Sequence, residues 1–182
     1  MTATHWDFDK VHSSVNFSVR HLMVSKVRGQ FHDWSGTLVL DDADITKSTV
    51  EVTIQAASID TKEEKRDAHL KSADFFEVEK FPTLTFKSTK VEKVSAEEIK
   101  IHGDLTIHGI TKPVVLVTEL GGTQKDPWGG TRTGFSAHTS IEREDFGLKW
   151  NAALEAGGVV VGKKVEISLE IEAVQKAASQ AA

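Results

Sequence analysis

The sequence predicts an all-β domain of eight antiparallel strands with one short helical insertion near residues 62–76. Three observations predict it. Apolar and polar side chains alternate with a period of two in segment after segment. The breaks between segments are short and rich in Gly, Asp, Asn, Ser and Pro, as antiparallel connections require. One stretch alone lacks alternation and is rich in helix formers.

Taken in order, residues 14–20 set Val15, Phe17 and Val19 against Ser14, Asn16, Ser18 and Arg20. Residues 21–26 read as a single turn, and residues 31–40 carry a weaker alternation. In 49–56, Val50, Val52, Ile54 and Ala56 oppose Thr49, Glu51, Thr53 and Gln55. The stretch 61–76, TKEEKRDAHLKSADFF, reads as one helix or two short ones. Phe81-Pro82 ends the irregular stretch, because the residue before proline is held extended. Strands follow at 84–91, at 99–107 with Ile99, Ile101, Gly103, Leu105 and Ile107 on one face, and at 114–120, 134–141 and 165–173. Residues 121–132, GGTQKDPWGGTR, read as the longest loop, and Gly157-Gly158 as a turn. The whole is one domain over residues 1–174, with 175–182 a frayed tail.

Eight two-faced segments bury their apolar faces either as a two-sheet sandwich or as a closed barrel. Segments of eight to ten residues exceed the roughly five or six usual for strands, which favours the tilted strands of a barrel. Closure also leaves no exposed sheet edge.

Composition narrows the function. The net charge is -5 with both signs scattered, so there is no basic stripe for nucleic acid. The chain has no cysteine, which excludes disulfides, thiol nucleophiles and thiolate metal sites. No window approaches the roughly 18 apolar residues of a membrane-spanning helix, so no stable membrane insertion is expected. The opening MTATHWDFD lacks the pattern of a secretory signal, which predicts a cytoplasmic protein, or a periplasmic one if a signal has been removed.

Chemistry-bearing motifs are sparse. The glycine-rich 121–132 lacks the Gly-Lys-Ser/Thr ending of a phosphate loop. His102, Asp104 and His108 share a polar strand face, and His5, Asp9 and His12 lie near one another in sequence, but neither group completes a coordination sphere, so no metal is predicted. Asp67, His69 and Ser72 are sequence neighbours rather than a triad, and there is no G-x-S-x-G elbow, so no catalytic residue and no enzyme is predicted. The chain has nine Phe and four Trp but no Tyr, so its rings mostly lack a polar handle and suit an apolar interior. Small residues in the inward register, Ala56, Ser88, Gly103, Gly134, Ala137 and Ala173, lean toward a hollow barrel, although the pattern by itself leaves a filled one open.

Four ordered stretches then carry a resemblance. They are DKVHSSVNF at 9–17 with VRHL at 19–22 and VRGQF at 27–31, the run SIDTKEEKRDAHLKSADFFEVEKFPTLTFKS from Ser58, GDLTIHGITKPV at 103–114, and IEREDFGLKW at 141–150. Together they resemble the YceI-like family of lipocalin-like, polyisoprenoid-binding proteins over nearly the whole chain. The resemblance implies an elongated antiparallel barrel whose tunnel holds a polyisoprenoid or isoprenoid quinone, no enzymatic cofactor, often a homodimer, and in many members a periplasmic location. Strand parity then assigns the tunnel lining to Phe17, Val19, Phe31, Ile54, Phe86, Leu105 and Phe135, with Phe75, Phe76, Phe146 and Trp150 near its ends. Arg66, Asp67, His69 and Arg143 are the expected head-group residues. The competing expectation is a filled barrel acting as a stress-related or protein-interaction module.

Overall fold

The computed structural model describes residues 3–155 and 157–177. Its strands are β1 (Ala3–Phe8), β2 (Ser14–His21), β3 (Ser25–Phe31), β4 (Trp34–Asp41), β5 (Thr49–Gln55), β6 (Ile59–Asp60), β7 (Thr83–Lys93), β8 (Glu98–Ile107), β9 (Ile110–Lys125), β10 (Thr131–Glu142) and β11 (Val161–Gln175), with one helix, α1 (Glu64–Lys71). The order β1-β4-β5-β7-β8-β9-β10-β11 closes because β11 also pairs with β1. Strand β11 is shared along its length: Ala173 to Gln175 pair with β1, while Val165 to Glu170 pair with β2. Strands β2, β3 and β6 continue the wall from there. Each of the pairs β1/β2, β3/β4 and β5/β6 is one barrel strand broken in the middle, so the eleven segments make an eight-stranded antiparallel barrel.

The breaks account for most differences from the sequence expectation. Asp9 ends β1 by accepting the N–H groups of Val11 and His12, which turns the chain into a 3-10 turn at Lys10–His12. Residues 21–26 are a hairpin corner flanked by strands, with His21 paired to Ser25. Strands β9 and β10 run on through most of 121–132, leaving Asp126 to Gly130 as the loop, closed by Asp126 accepting from the N–H groups of Trp128 and Gly130. Helix α1 covers only half of the predicted helical stretch, capped by the Glu63 carboxylate at its start and by turns after Ser72. Gln175 still belongs to β11, and the Lys176 N–H donates to the His5 carbonyl at 2.8 Å, while residues 178–182 of the expected tail lie outside the described residues.

Two ends result. The helix end gathers α1, the β2–β3 and β8–β9 corners and the loop before β11; the far end gathers the β4–β5, β7–β8 and β9–β10 connections. The far end is packed by Trp6, Leu38, Leu40 and Ala173, and the rest of the core runs along the barrel wall.

An ion network staples the β1/β2 break across β11 to the start of β10. The Arg132 guanidinium donates to Asp9 at 2.7 Å, Asp126 at 2.8 Å and Glu172 at 2.6 Å. The His12 ring and Arg132 together hold the Asp9 carboxyl down at about 2, and Asp9 in turn pushes the His12 imidazole up from its ordinary value. A carboxyl lowered from 3.8 to about 2 contributes stability above pH ~4 and loses it as pH falls toward 2. The raised imidazole has the opposite sign: its contribution is present below its ordinary value of 6.5 and is lost as pH rises through the folded one. Carboxyl-resolved NMR titration is expected to place Asp9 near 2, with Arg132→Gln moving it upward. An Asp9 midpoint at the ordinary carboxyl value would show that the staple does not form.

Candidate functional site

The barrel interior is hollow. A cavity of about 380 Å³ runs along it, within the roughly 300–1,000 Å³ range of ligand pockets. At the far end its wall is Leu38, Leu40, Ile45, Val91 and Ile99; midway it is Val52, Ile54, Phe86, Leu105 and Leu116; at the helix end it is Phe31, Phe75, Phe76 and Trp150. Of the expected lining residues, Phe17, Val19, Phe31, Ile54, Phe75, Phe76, Phe86, Leu105, Phe135 and Trp150 lie on this wall. Phe146 does not. It closes the 3-10 turn after β10 and is only 2% exposed, packed into the core rather than onto the bore.

The space does not come from the small residues in the way the sequence suggests. Of those six, only Ala137 lies on the wall. Ala56 and Ala173 are fully buried away from it, and the Ser88 hydroxyl is spent accepting the Val50 N–H at 3.0 Å. At Gly103 the missing side chain is replaced by the Phe86 ring: a Cβ there would stand 2.3 Å from Phe86 Cζ. Gly29 repeats the device, with a would-be Cβ 2.3 Å from Phe17 Cζ on the neighbouring strand. Both rings lie against a bare backbone, which keeps them out of the bore.

The helix end supplies the polar groups. Arg66 Nε donates to Thr61 Oγ1 at 2.8 Å and its Nη2 to the Thr61 carbonyl at 2.7 Å, yet among the described residues no carboxylate lies within ion-pair distance of it. The His69 ring sits edge-on between Phe75 and Trp150, at 5.1 and 4.7 Å between centroids, with Nε2 2.8 Å from Asp74. Asp67 is not on the wall, contrary to expectation. Its carboxylate accepts both the backbone N–H and the hydroxyl of Thr61, so it braces the segment that Arg66 leans on.

Arg143 lies on the wall but is not free to read a ligand. It is 3% exposed, and four of its five N–H groups donate to carbonyls: Nε to Gly162 at 2.7 Å, Nη1 to Leu148 at 2.6 Å and Trp150 at 3.0 Å, and Nη2 to Val161 at 3.3 Å. It fixes the loop carrying Trp150 to the start of β11. Burial depresses its pKa from the ordinary guanidinium value.

Arg20 and His21 also border the cavity here, and sequence reasoning missed both. His21 shares the inward parity of Val15, Phe17 and Val19, which was the available signal; Arg20 has outward parity and reaches the rim only because β2 ends there. Among the described residues, the wall therefore carries three arginines and two histidines at one end and no Asp or Glu.

The candidate metal groups do not converge on the bore. His102 pairs with Glu92 at 3.1 Å. His108 turns the β8–β9 corner, with its buried Nε2 3.6 Å from Glu77 and its ring against Phe81. Asp9, His12 and Glu172 approach one another, but Arg132 bridges both carboxylates.

A closed antiparallel barrel with an apolar bore and a cationic end sets this fold apart from a packed β-core. The chain belongs to the YceI-like domain family, whose sequence profile matches residues 6–173. It is 40% identical over 170 residues to protein YceI of Escherichia coli O157:H7, covering 93% of this chain and 85% of that protein. Among solved structures it resembles BcnA of Burkholderia cenocepacia with a TM-score of 0.80 at 20% identity, over 91% of this chain and 99% of that one. It also resembles a polyisoprenoid binding domain from Saccharophagus degradans, with a TM-score of 0.66 at 15% identity, over 94% of this chain and 98% of that domain.

Proposed function

We propose that the protein binds one long-chain amphiphilic lipid, a polyisoprenoid or isoprenoid quinone, and carries or stores it with the tail in the bore and the head group at the helix end beside Arg66 and His69. The observation that carries this reading is the separation of chemistry along one cavity: apolar for most of its length, cationic at one end, with no carboxylate on the wall among the described residues. The Saccharophagus neighbour, named for polyisoprenoid binding, supports the same ligand class. A prenyl chain offers nothing to hydrogen-bond, so contact area must hold it. Burying on the order of 20 apolar carbons at about 0.8 kcal/mol each gives roughly 16 kcal/mol gross, of which ordering and association consume a large share.

Binding rather than catalysis is the better reading of the polar groups. His69 is tied to Asp74 and wedged between two rings, and Arg143 is saturated by backbone carbonyls. The filled-barrel alternative is disfavoured by the cavity itself.

Mass spectrometry of an organic extract from gently purified protein tests the proposal. Lipid near one molecule per chain is expected, absent after denaturation and refolding in lipid-free buffer; a clean extract from the gently purified protein would overturn it. Arg66→Gln is expected to weaken retention about tenfold, the loss of one charge-assisted contact of about 1.4 kcal/mol, and to lower the melting temperature by a few degrees because its two bonds to Thr61 go with it. Unchanged retention would place the head group elsewhere.

A further inference from the structure

The corner between β2 and β3 is built against its own local chemistry. Leu22 and Met23 occupy left-handed backbone, φ 51° and 64°, a pair of positions that hairpins normally give to Asn-Gly. The turn is closed by Val24 N–H donating to the His21 carbonyl at 3.1 Å and is held to the neighbouring loop by Leu22 N–H donating to the Val160 carbonyl at 2.8 Å. Gly158 lies under Met23, where a Cβ would come within 3.1 Å of its side chain. The result is three consecutive apolar side chains displayed to solvent, Leu22 at 40%, Met23 at 58% and Val24 at 78% exposed. The other exposed large apolar residues, such as Val11, Val94 and Trp128, stand singly on separate segments, which is ordinary for a surface.

Two further observations say what covers this tip. It projects from the rim of the cavity, since His21 and Val27 on either side of it and Val160 beneath it all border the bore. Directly behind it, Arg20 faces Lys26 across the strands, a like-charge pair that costs stability, and Arg28 follows two residues on. Among the described residues, Lys26 has one carboxylate within ion-pair distance, Glu166 at 3.8 Å, and Arg20 and Arg28 have none. This cationic collar occurs on a chain whose net charge is -5. An apolar tip backed by cations is the arrangement that inserts into the interface of an anionic membrane.

We infer that the Leu22-Met23-Val24 corner is a membrane-docking tip that sets the mouth of the bore against an anionic lipid surface, so that cargo passes between bilayer and barrel with little exposure to water. The inference rests on the carrier reading for its purpose, but the docking stands or falls separately.

The test is flotation of the full chain with vesicles of phosphatidylcholine alone and of equal parts phosphatidylcholine and phosphatidylglycerol, with the lipid content of the same preparations measured by extraction. The wild type is expected to float with the mixed vesicles. Leu22→Ser/Met23→Ser/Val24→Ser is expected to lower that partitioning at least about tenfold, the order expected for withdrawing three apolar side chains from lipid. Arg20→Gln/Lys26→Gln is expected to erase the preference for mixed over neutral vesicles while sparing the melting temperature. A serine variant that floats like the wild type overturns the inference, and so does a wild type that floats with neither vesicle, which would assign the tip to a protein partner. Flotation that persists in protein whose extract is lipid-free upholds the tip and removes the carrier reading; a loaded protein that never floats does the reverse.

Discussion

Arg143→Met is expected to destabilise the protein by about 3 kcal/mol and to lower its melting temperature by roughly 6–12 °C, at some 2–4 °C per kcal/mol for a chain of this size. Two effects oppose each other at this site. Burying the guanidinium with no carboxylate partner among the described residues costs several kcal/mol, which is why burial pulls its pKa down. Against that stand four charge-assisted hydrogen bonds to the carbonyls of Leu148, Trp150, Val161 and Gly162, each contributing on the order of 1.5–3 kcal/mol. The bonds win, because methionine removes the donors while leaving the carbonyls in place and short of water. Lysine does not rescue the site, since three donors on one nitrogen cannot span four carbonyls drawn from two segments. Denaturant melts check the expectation, and a loss below about 1 kcal/mol would show that water replaces the guanidinium. Cargo retention is expected to fall as well, because the same loop holds Leu148 and Trp150 on the wall of the bore.

The split between what was legible in the sequence and what was not follows the range of the interaction. Long strands such as β8 and β11 display their alternation over ten or more residues, so their existence and inward faces were readable. The short halves were not: β6 has two residues, β1 has six, and neither offers enough repeats to show a period. The β2–β3 corner was legible only as a turn at 21–26 and not as a hairpin leading into β3, because its left-handed positions hold Leu and Met in place of the usual turn residues. Inward parity found most of the lining, but the bore's diameter depends on which residue faces which across strands. Gly103 read as vacant space, whereas register places the Phe86 ring over it. Arg143 and Asp67 were read as polar groups near the mouth, and their roles depend on acceptors and donors that no local motif announces: loop carbonyls for the first, the Thr61 N–H and hydroxyl for the second.

If the bore holds lipid as proposed, Gly103→Ala is accordingly expected to empty it with only a moderate loss of stability. The new methyl would meet Phe86 Cζ at 2.3 Å and Cε2 at 2.6 Å, distances no side chain tolerates, and the Lys87 carbonyl oxygen at 2.7 Å. The carbonyl belongs to the β7–β8 ladder and cannot retreat far, so the methyl imposes overpacking strain of about 1–3 kcal/mol. The ring has one direction to yield, away from the β8 backbone and into the bore, where Leu105 and Val52 flank it. A ring across the middle of the tunnel divides it, so bound lipid is expected to fall at least about tenfold, and any that remains should be shorter than the wild-type cargo. Adding Phe86→Leu separates the two effects. Leucine withdraws the ring but leaves the carbonyl contact, so the double variant is expected to regain lipid while remaining less stable than the wild type. If Gly103→Ala keeps full lipid content, or if the double variant regains stability without regaining lipid, then the glycine serves the sheet alone and the Phe86 ring does not gauge the bore.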